Sequence, residues 1–357
     1  MISLYHKLEK TVDVSNIQTI LSEHPEMQIL WNRRHSLTRP AVIDREDVIL
    51  HIIFEAIVEK QIKEGDPPEV RETYQKLREV GLSSHAARGN IVRLFRMELD
   101  QGIKERKVFD HQNYIRKLQF LGQNPKKLER NQLCPCGSSK KYKKCCMSQE
   151  QHLKVFPNAG VLLLGADAYF RSDYLEQVGS DPQFLEVKNR IHLAEFLEKQ
   201  EDLEGTLLYL QENVMVFEKE NHEPGLENAL QDVIFLCMKY PQFASTGLEN
   251  VERLISLNNS NENLGMHCCD KADLLAILKG PEKAEQEYLN IFQALPEFNF
   301  ARYRYALFLN EWDQKEKAIE ILRALVNLSD QLDKETQASA QELLDELCPP
   351  QQIDSKQ

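Results

Sequence analysis

Val48-Ile49-Leu50-His51-Ile52-Ile53-Phe54-Glu55-Ala56-Ile57-Val58 is the stretch on which the fold class turns. At 3.6 residues per turn its apolar side chains cover most of the circumference, so the spacing predicts a buried central helix within Asp44 to Glu64. Two polar residues, His51 and Glu55, interrupt that surface one turn apart. Downstream, Asp66-Pro67-Pro68-Glu69 places a capping carboxylate before two first-turn prolines and starts a helix through Glu79 that stops at Gly81. Ser83 or Ser84 then opens a long helix through Lys107, and Asp110 caps another that ends at Gly122. Upstream, helical spacing begins at Ser15 and strand-like alternation is scarce. Residues 1 to 122 therefore read as an all-helical domain in a mainly α protein.

A basic linker, residues 123 to 132, leads into Cys134-Pro-Cys136-Gly-Ser-Ser-Lys140-Lys141-Tyr142-Lys143-Lys144-Cys145-Cys146. Four thiols in so short a span make either two disulfides or one metal site, and the compartment decides. Met1 to Lys10 carries charges every few residues and no apolar core region, which is not the pattern of a secretory leader. In a reducing cytoplasm clustered thiols mean metal. Cys134, Cys136, Cys145 and Cys146 can converge on one tetrahedral ion, Zn²⁺ or iron, if Pro135, Gly137, Ser138 and Ser139 turn the chain back. Lys140, Lys141, Lys143 and Lys144 offset the charge of the thiolates, and Tyr142 is the natural lid over the sulfurs. A unit of this size, residues 133 to 150, has no apolar core of its own, so metal is expected to supply its folding energy. Lys126, Lys127 and Arg130 extend the basic surface into a patch suited to acidic protein or phosphate.

This stretch closely resembles the SEC-C motif of the SecA tail and of YecA-like bacterial proteins. Every ligand position is filled, but Ser139 stands where the motif usually has glycine, so a left-handed turn there would cost up to about 1 kcal/mol. The resemblance implies zinc, with iron as the alternative, and docking on a ribosome, a SecB-like chaperone or a preprotein. A second resemblance runs from His24-Pro25-Glu26-Met27 through Pro67-Pro68-Glu69-Val70-Arg71 to Gly81-Leu82-Ser83-Ser84-His85, and is to a small all-helical bacterial family of unknown function. It implies a fold and no activity. Members carry a second histidine shortly after the one matching His85, where this chain has Arg88 and Gly89.

The chain of 357 residues has room for two or three domains, and its formal net charge is −12. That charge is unevenly spread: residues 1 to 130 carry 22 Lys+Arg against 19 Asp+Glu, whereas residues 151 to 357 carry 18 against 36. The halves are electrostatically opposite and can attract one another or recruit different partners. The longest apolar run, Val233 to Met238, is far too short to span a bilayer. Cys237, Cys268, Cys269 and Cys348 lack metal spacing and read as small core residues.

Residues 151 to 348 are read as helical apart from Val161 to Leu164, which is ambiguous with strand. Ala272-Asp-Leu-Leu275 matches Ala306-Leu-Phe-Leu309 at a shift of 34 residues, and Ala284 matches Ala318 at the same shift. Leu193-Ala194-Glu-Phe-Leu197, with Thr206 twelve residues after Ala194, reads as an earlier copy, and Leu226 to Leu257 supplies another helix pair. The pattern, with Pro296 closing a unit, resembles a tetratricopeptide array over Asp181 to Leu347, which implies a concave face for partner proteins. Pro349 to Gln357 reads as a disordered tail.

No nucleophile elbow, phosphate-cradling glycine loop or His-Glu zinc-protease motif occurs, so an interaction protein is favoured over an enzyme and no catalytic residue is assigned. The competing expectation is a metal-dependent enzyme built on His51, Glu55 and His85. A third is direct binding of ribosomal RNA by the basic patch, which predicts steep salt dependence.

Overall fold

Helices supply nearly all the regular structure of the computed structural model, which describes residues 2–43, 46–121, 129–134, 139–145, 147, 154–157, 159, 182–257, 261–328 and 334–348. The protein is mainly α. It divides into two compact units, residues 1–209 and 210–357.

In the first unit the order is α1 (Ile2–Glu9), α2 (Val14–Glu23), a 3-10 turn (Pro25–Met27), α3 (Gln28–Arg33), β1 (Val42–Ile43), β2 (Glu46–Asp47), α4 (Val48–Glu64), α5 (Pro68–Glu79), α6 (Ser84–Glu105), α7 (His111–Phe120) and α8 (Pro182–Glu198). Helix α9 (Leu203–Glu220) contains the division between the units. As its apolar circumference predicts, α4 is central: α1, α2, α5 and α6 all pack on it, and Ile49, Ile52, Ile53 and Val58 are fully buried. Its start is later than the sequence suggests. Val42 and Ile43 pair antiparallel with Asp47 and Glu46, and Asp47 then caps the helix by accepting the Leu50 N–H at 3.1 Å. A stretch tied into that small hairpin is not free to turn helical. Gly65, in the left-handed region at φ 69°, ends the helix with its N–H on the Gln61 carbonyl.

Helix α5 corrects a second expectation: Asp66 does not cap it. The N-cap position is Pro67, held extended because a residue before proline is kept out of the helical region, so the helix begins at Pro68. Ser83 and Asp110 cap α6 and α7 as expected, accepting the Ala86 and Asn113 N–H groups. Helices α5, α6 and α7 close over α4 around Phe54, Val70, Leu77, Ile91, Leu94, Tyr114 and Leu118. Fully buried Asn90 of α6 exchanges two hydrogen bonds with the Phe156 backbone, at 2.8 and 2.9 Å, fastening the chain where it leaves the cysteine loop. On the other side of the unit Glu26 accepts from Asn189, Asp202 pairs with Arg33, and the Tyr209 hydroxyl accepts the Leu30 N–H at 2.9 Å.

The second unit continues through α10 (Glu223–Lys239), α11 (Ala244–Leu257), α12 (Asn261–Lys279), α13 (Pro281–Ala294), α14 (Phe300–Glu311), α15 (Lys315–Val326) and α16 (Lys334–Leu347). Each packs on its successor, and alternate helices α10, α12, α14 and α16 also touch. The four alanines picked out by the 34-residue shift, Ala272, Ala284, Ala306 and Ala318, are all fully buried. Gly247 permits the same closeness one pair earlier, since a Cβ there would lie 2.6 Å from the Cys237 Cβ. A polar ladder runs along the alternate helices: Gln231 of α10 donates to Asp270 of α12, which pairs at 3.1 Å with Arg304 of α14. Asp270 and Arg304 are themselves 34 residues apart. Cys237 and Cys269 are core residues as expected, while Cys268 and Cys348 are only partly buried. Val161 to Leu164 and Pro349 to Gln357 lie outside the described residues.

Candidate metal centre

The cysteine loop is closed by a short antiparallel contact. Leu133 bridges Lys141, the Cys134 N–H donates to the Lys140 carbonyl at 2.7 Å, the Tyr142 N–H to Gln132 at 2.9 Å and the Lys143 N–H to Arg130 at 3.0 Å. The two arms so joined put Cys134 and Cys145 in one cluster with Tyr142, Met147 and Phe120 of α7. Tyr142 is 1% exposed and stacks on Phe120 with ring centres 6.0 Å apart. The lid is therefore seated on a helix, and the loop draws on an apolar contact as well as on any metal. Burial of one tyrosine ring contributes roughly 2–3 kcal/mol, drawn from a helix outside the unit, which has no apolar core of its own. Ser139 adopts φ 56°, the left-handed turn that glycine takes without strain.

Arg130, Lys140, Lys141, Lys143 and Lys144 are all exposed around this buried centre. Cys136, Cys146, Lys126 and Lys127 lie outside the described residues. Two thiols drawn together under a tyrosine, inside a loop surfaced by cations, are a donor set that fits a thiolate-bound ion.

A second convergence of donors occupies the first unit, and it unites residues far apart in sequence. His51 and Glu55 project from α4 and His85 from the first turn of α6, as the competing enzyme reading places them. The structure adds His24, at the end of α2, which sequence reasoning passed over. One ligand atom each from His24, Glu55 and His85 lies within 4.8 Å of the others. The His24 and His85 Nε2 atoms are 3.1 Å apart, His85 Nε2 is 3.5 Å from Glu55 Oε1, and His24 Nε2 is 3.6 Å from Glu55 Oε2. His51 stands at the edge, its Nε2 3.6 Å from Glu55 Oε1 and its Nδ1 3.7 Å from Glu46. Arg88 anchors Glu55 Oε2 at 3.2 Å and also pairs with Glu23 and Glu59.

A fully buried carboxylate survives burial only with such company. Burial alone would raise the Glu55 pKa, but His24, His85 and His51 outweigh it and hold the carboxyl well below its ordinary range. Burial likewise opposes charge on His24, yet Glu26 and Glu55 push its pKa up to about 10. Arg88 is raised by Glu55, Glu23 and Glu59 against the opposing effect of burial. The cue that could have found His24 is its place in the His24-Pro25-Glu26-Met27 string.

Residues 130–148 match the SEC-C motif. This is a metal-binding motif, and the matched residues are those of the cysteine loop and its basic surface. Over 53 residues the chain is also 47% identical to protein translocase subunit SecA of Syntrophomonas wolfei subsp. wolfei (strain DSM 2245B / Goettingen). That alignment takes in 15% of this chain and 6% of the SecA chain, so the likeness is local. The SEC-C knuckle and the SecA likeness point to an interaction role. No helix among the described residues is long and apolar enough to cross a membrane.

Proposed function

We propose that this protein is a cytoplasmic adaptor that docks through its SEC-C knuckle on a ribosome or a SecB-like chaperone, with the helical region of residues 151–348 as a platform for a second protein such as a preprotein. The observation that carries the reading is the arrangement of exposed cations, Arg130, Lys140, Lys141, Lys143 and Lys144, on a small loop whose Cys134, Cys145 and Tyr142 cluster with Phe120. An ion held by Cys134, Cys136, Cys145 and Cys146 has no open position for substrate, so such a knuckle organises a surface and does no chemistry on its own account. Zinc is the ion a four-thiolate set favours, with iron as the alternative. The platform reading draws on the 34-residue period of the fully buried alanines, because stacked helix pairs of tetratricopeptide type present a concave face.

The test is the quadruple variant Lys140→Glu, Lys141→Glu, Lys143→Glu and Lys144→Glu. Co-sedimentation with ribosomes, or binding to a SecB-like chaperone, is expected to fall at least about tenfold and to weaken with added salt in the wild type. The bound ion and the circular dichroism spectrum should stay largely as they were. Undiminished binding in both assays, with the metal retained, would reduce the knuckle to a structural clip. A salt dependence steep enough for several released counterions would identify ribosomal RNA as the surface contacted.

A further inference from the structure

We propose that His24, Glu55 and His85 form a second metal centre, for one divalent first-row transition ion, within the first helical unit and independent of the SEC-C knuckle. Ligand bonds of 2.0–2.1 Å in a tetrahedral arrangement put donor atoms about 3.3–3.4 Å apart. The His24 and His85 Nε2 atoms, 3.1 Å apart, and His85 Nε2 and Glu55 Oε1, 3.5 Å apart, lie on either side of that spacing, and one donor atom from each of the three residues lies within 4.8 Å of the others. Ordinary hydrogen bonding accounts for only part of the cluster. Glu55 is fully buried with Oε2 anchored by Arg88, yet its Oε1 has no hydrogen-bond partner, and neither has Nε2 of His51 beside it. A fully buried carboxylate oxygen whose neighbouring nitrogens, His85 and His51 Nε2, stand off at 3.5 and 3.6 Å without a hydrogen bond is costly, and an ion at the centre of the donors removes that cost.

The surroundings are those of a ligand set. Nδ1 of His24 lies 3.5 Å from Glu26 Oε1, which itself accepts from Asn189 at 3.1 Å, so a carboxylate orients the imidazole from behind. Charge agrees as well. The carboxylates of Glu23, Glu26, Glu46, Glu55 and Glu59 face the cations Arg88, Arg96 and Lys63, while Glu186 and Arg190 nearby pair with each other. These carboxylates outnumber the cations even when a protonated His24 is counted among them, so the surroundings favour a cation. Imidazole and carboxylate donors select a first-row transition ion over calcium or magnesium. Among the three ligands His85 alone has appreciable exposure, 22% of its side chain against 4% for His24 and none for Glu55. Coordination positions left open by three protein ligands would face solvent on that side.

The test uses the full-length protein with Cys134→Ser, Cys136→Ser, Cys145→Ser and Cys146→Ser, stripped with a chelator and titrated with Co²⁺. One equivalent is expected to bind, with visible d–d bands and no thiolate-to-cobalt charge transfer in the near ultraviolet. Adding His85→Gln, the mildest change because of its exposure, should weaken binding at least about a hundredfold while helix content is retained. Glu55→Gln should do the same. No stoichiometric cobalt in the cysteine-free protein overturns the proposal, and so does binding undiminished by His85→Gln and Glu55→Gln. The knuckle reading is untouched by either result, because its ligands are already absent from the protein titrated.

Discussion

Single residues carry the metal chemistry in opposite ways. Ser139 holds a left-handed turn between the two arms of the knuckle, where a side chain brings strain that glycine escapes. Ser139→Gly is expected to stabilise the closed loop by up to about 1 kcal/mol, read as a higher midpoint for loss of the knuckle ion on denaturant titration. A lowered midpoint would mean that the serine earns its place through a contact of its own. Arg88 works the other way, as a guanidinium at 1% exposure that pairs with the carboxylates of Glu23, Glu55 and Glu59.

At the scale of elements, α6 and α7 decide where the knuckle sits. Phe120, the last residue of α7, receives the Tyr142 ring, and Asn90 of α6 fastens the chain beyond the loop to its own side chain. The knuckle is thus placed by two helices of the first unit. Phe120→Ala removes a ring that is 1% exposed and should loosen the loop by about 3 kcal/mol. In metal-free protein, mass-resolved labelling of Cys134 with a thiol reagent should accelerate by tenfold or more. A rate equal to wild type would show that the sulfurs are shielded without help from α7. The helices of the second unit are linked by a different device, the Gln231, Asp270 and Arg304 ladder, whose last two members are 34 residues apart.

For the whole molecule, the division into residues 1–209 and 210–357 implies two cores that respond separately. Ile53→Ala empties a fully buried position in the first and should cost about 2–5 kcal/mol. Ala306→Leu overfills a fully buried position among Leu322, Ala340 and Leu343 in the second and should cost about 1–3 kcal/mol. Combined in one chain, the two losses should add to within about 0.5 kcal/mol in denaturant melts. A coupling above about 1 kcal/mol would argue that the units share a core.

Local pattern sufficed wherever the physics is local. The apolar circumference of α4, the caps at Ser83 and Asp110, and the buried alanines at a 34-residue shift all follow from 3.6-residue periodicity and backbone satisfaction. The cysteine knuckle was legible for the same reason, since Cys134 and Cys145 are brought together by a loop that turns back within a dozen residues. Long-range proximity leaves no such trace. His24 and His85 are separated by 61 residues, Leu30 and Tyr209 by 179, Arg33 and Asp202 by 169, and each pairing exists only because helices pack. The sequence by itself determined the helices, the knuckle and the one-turn relation of His51 to Glu55. Tertiary structure alone decided that Glu55 would be buried with an oxygen aimed among histidines from three helical segments, because a carboxylate's surroundings are set by what packs over it and not by its neighbours in the chain.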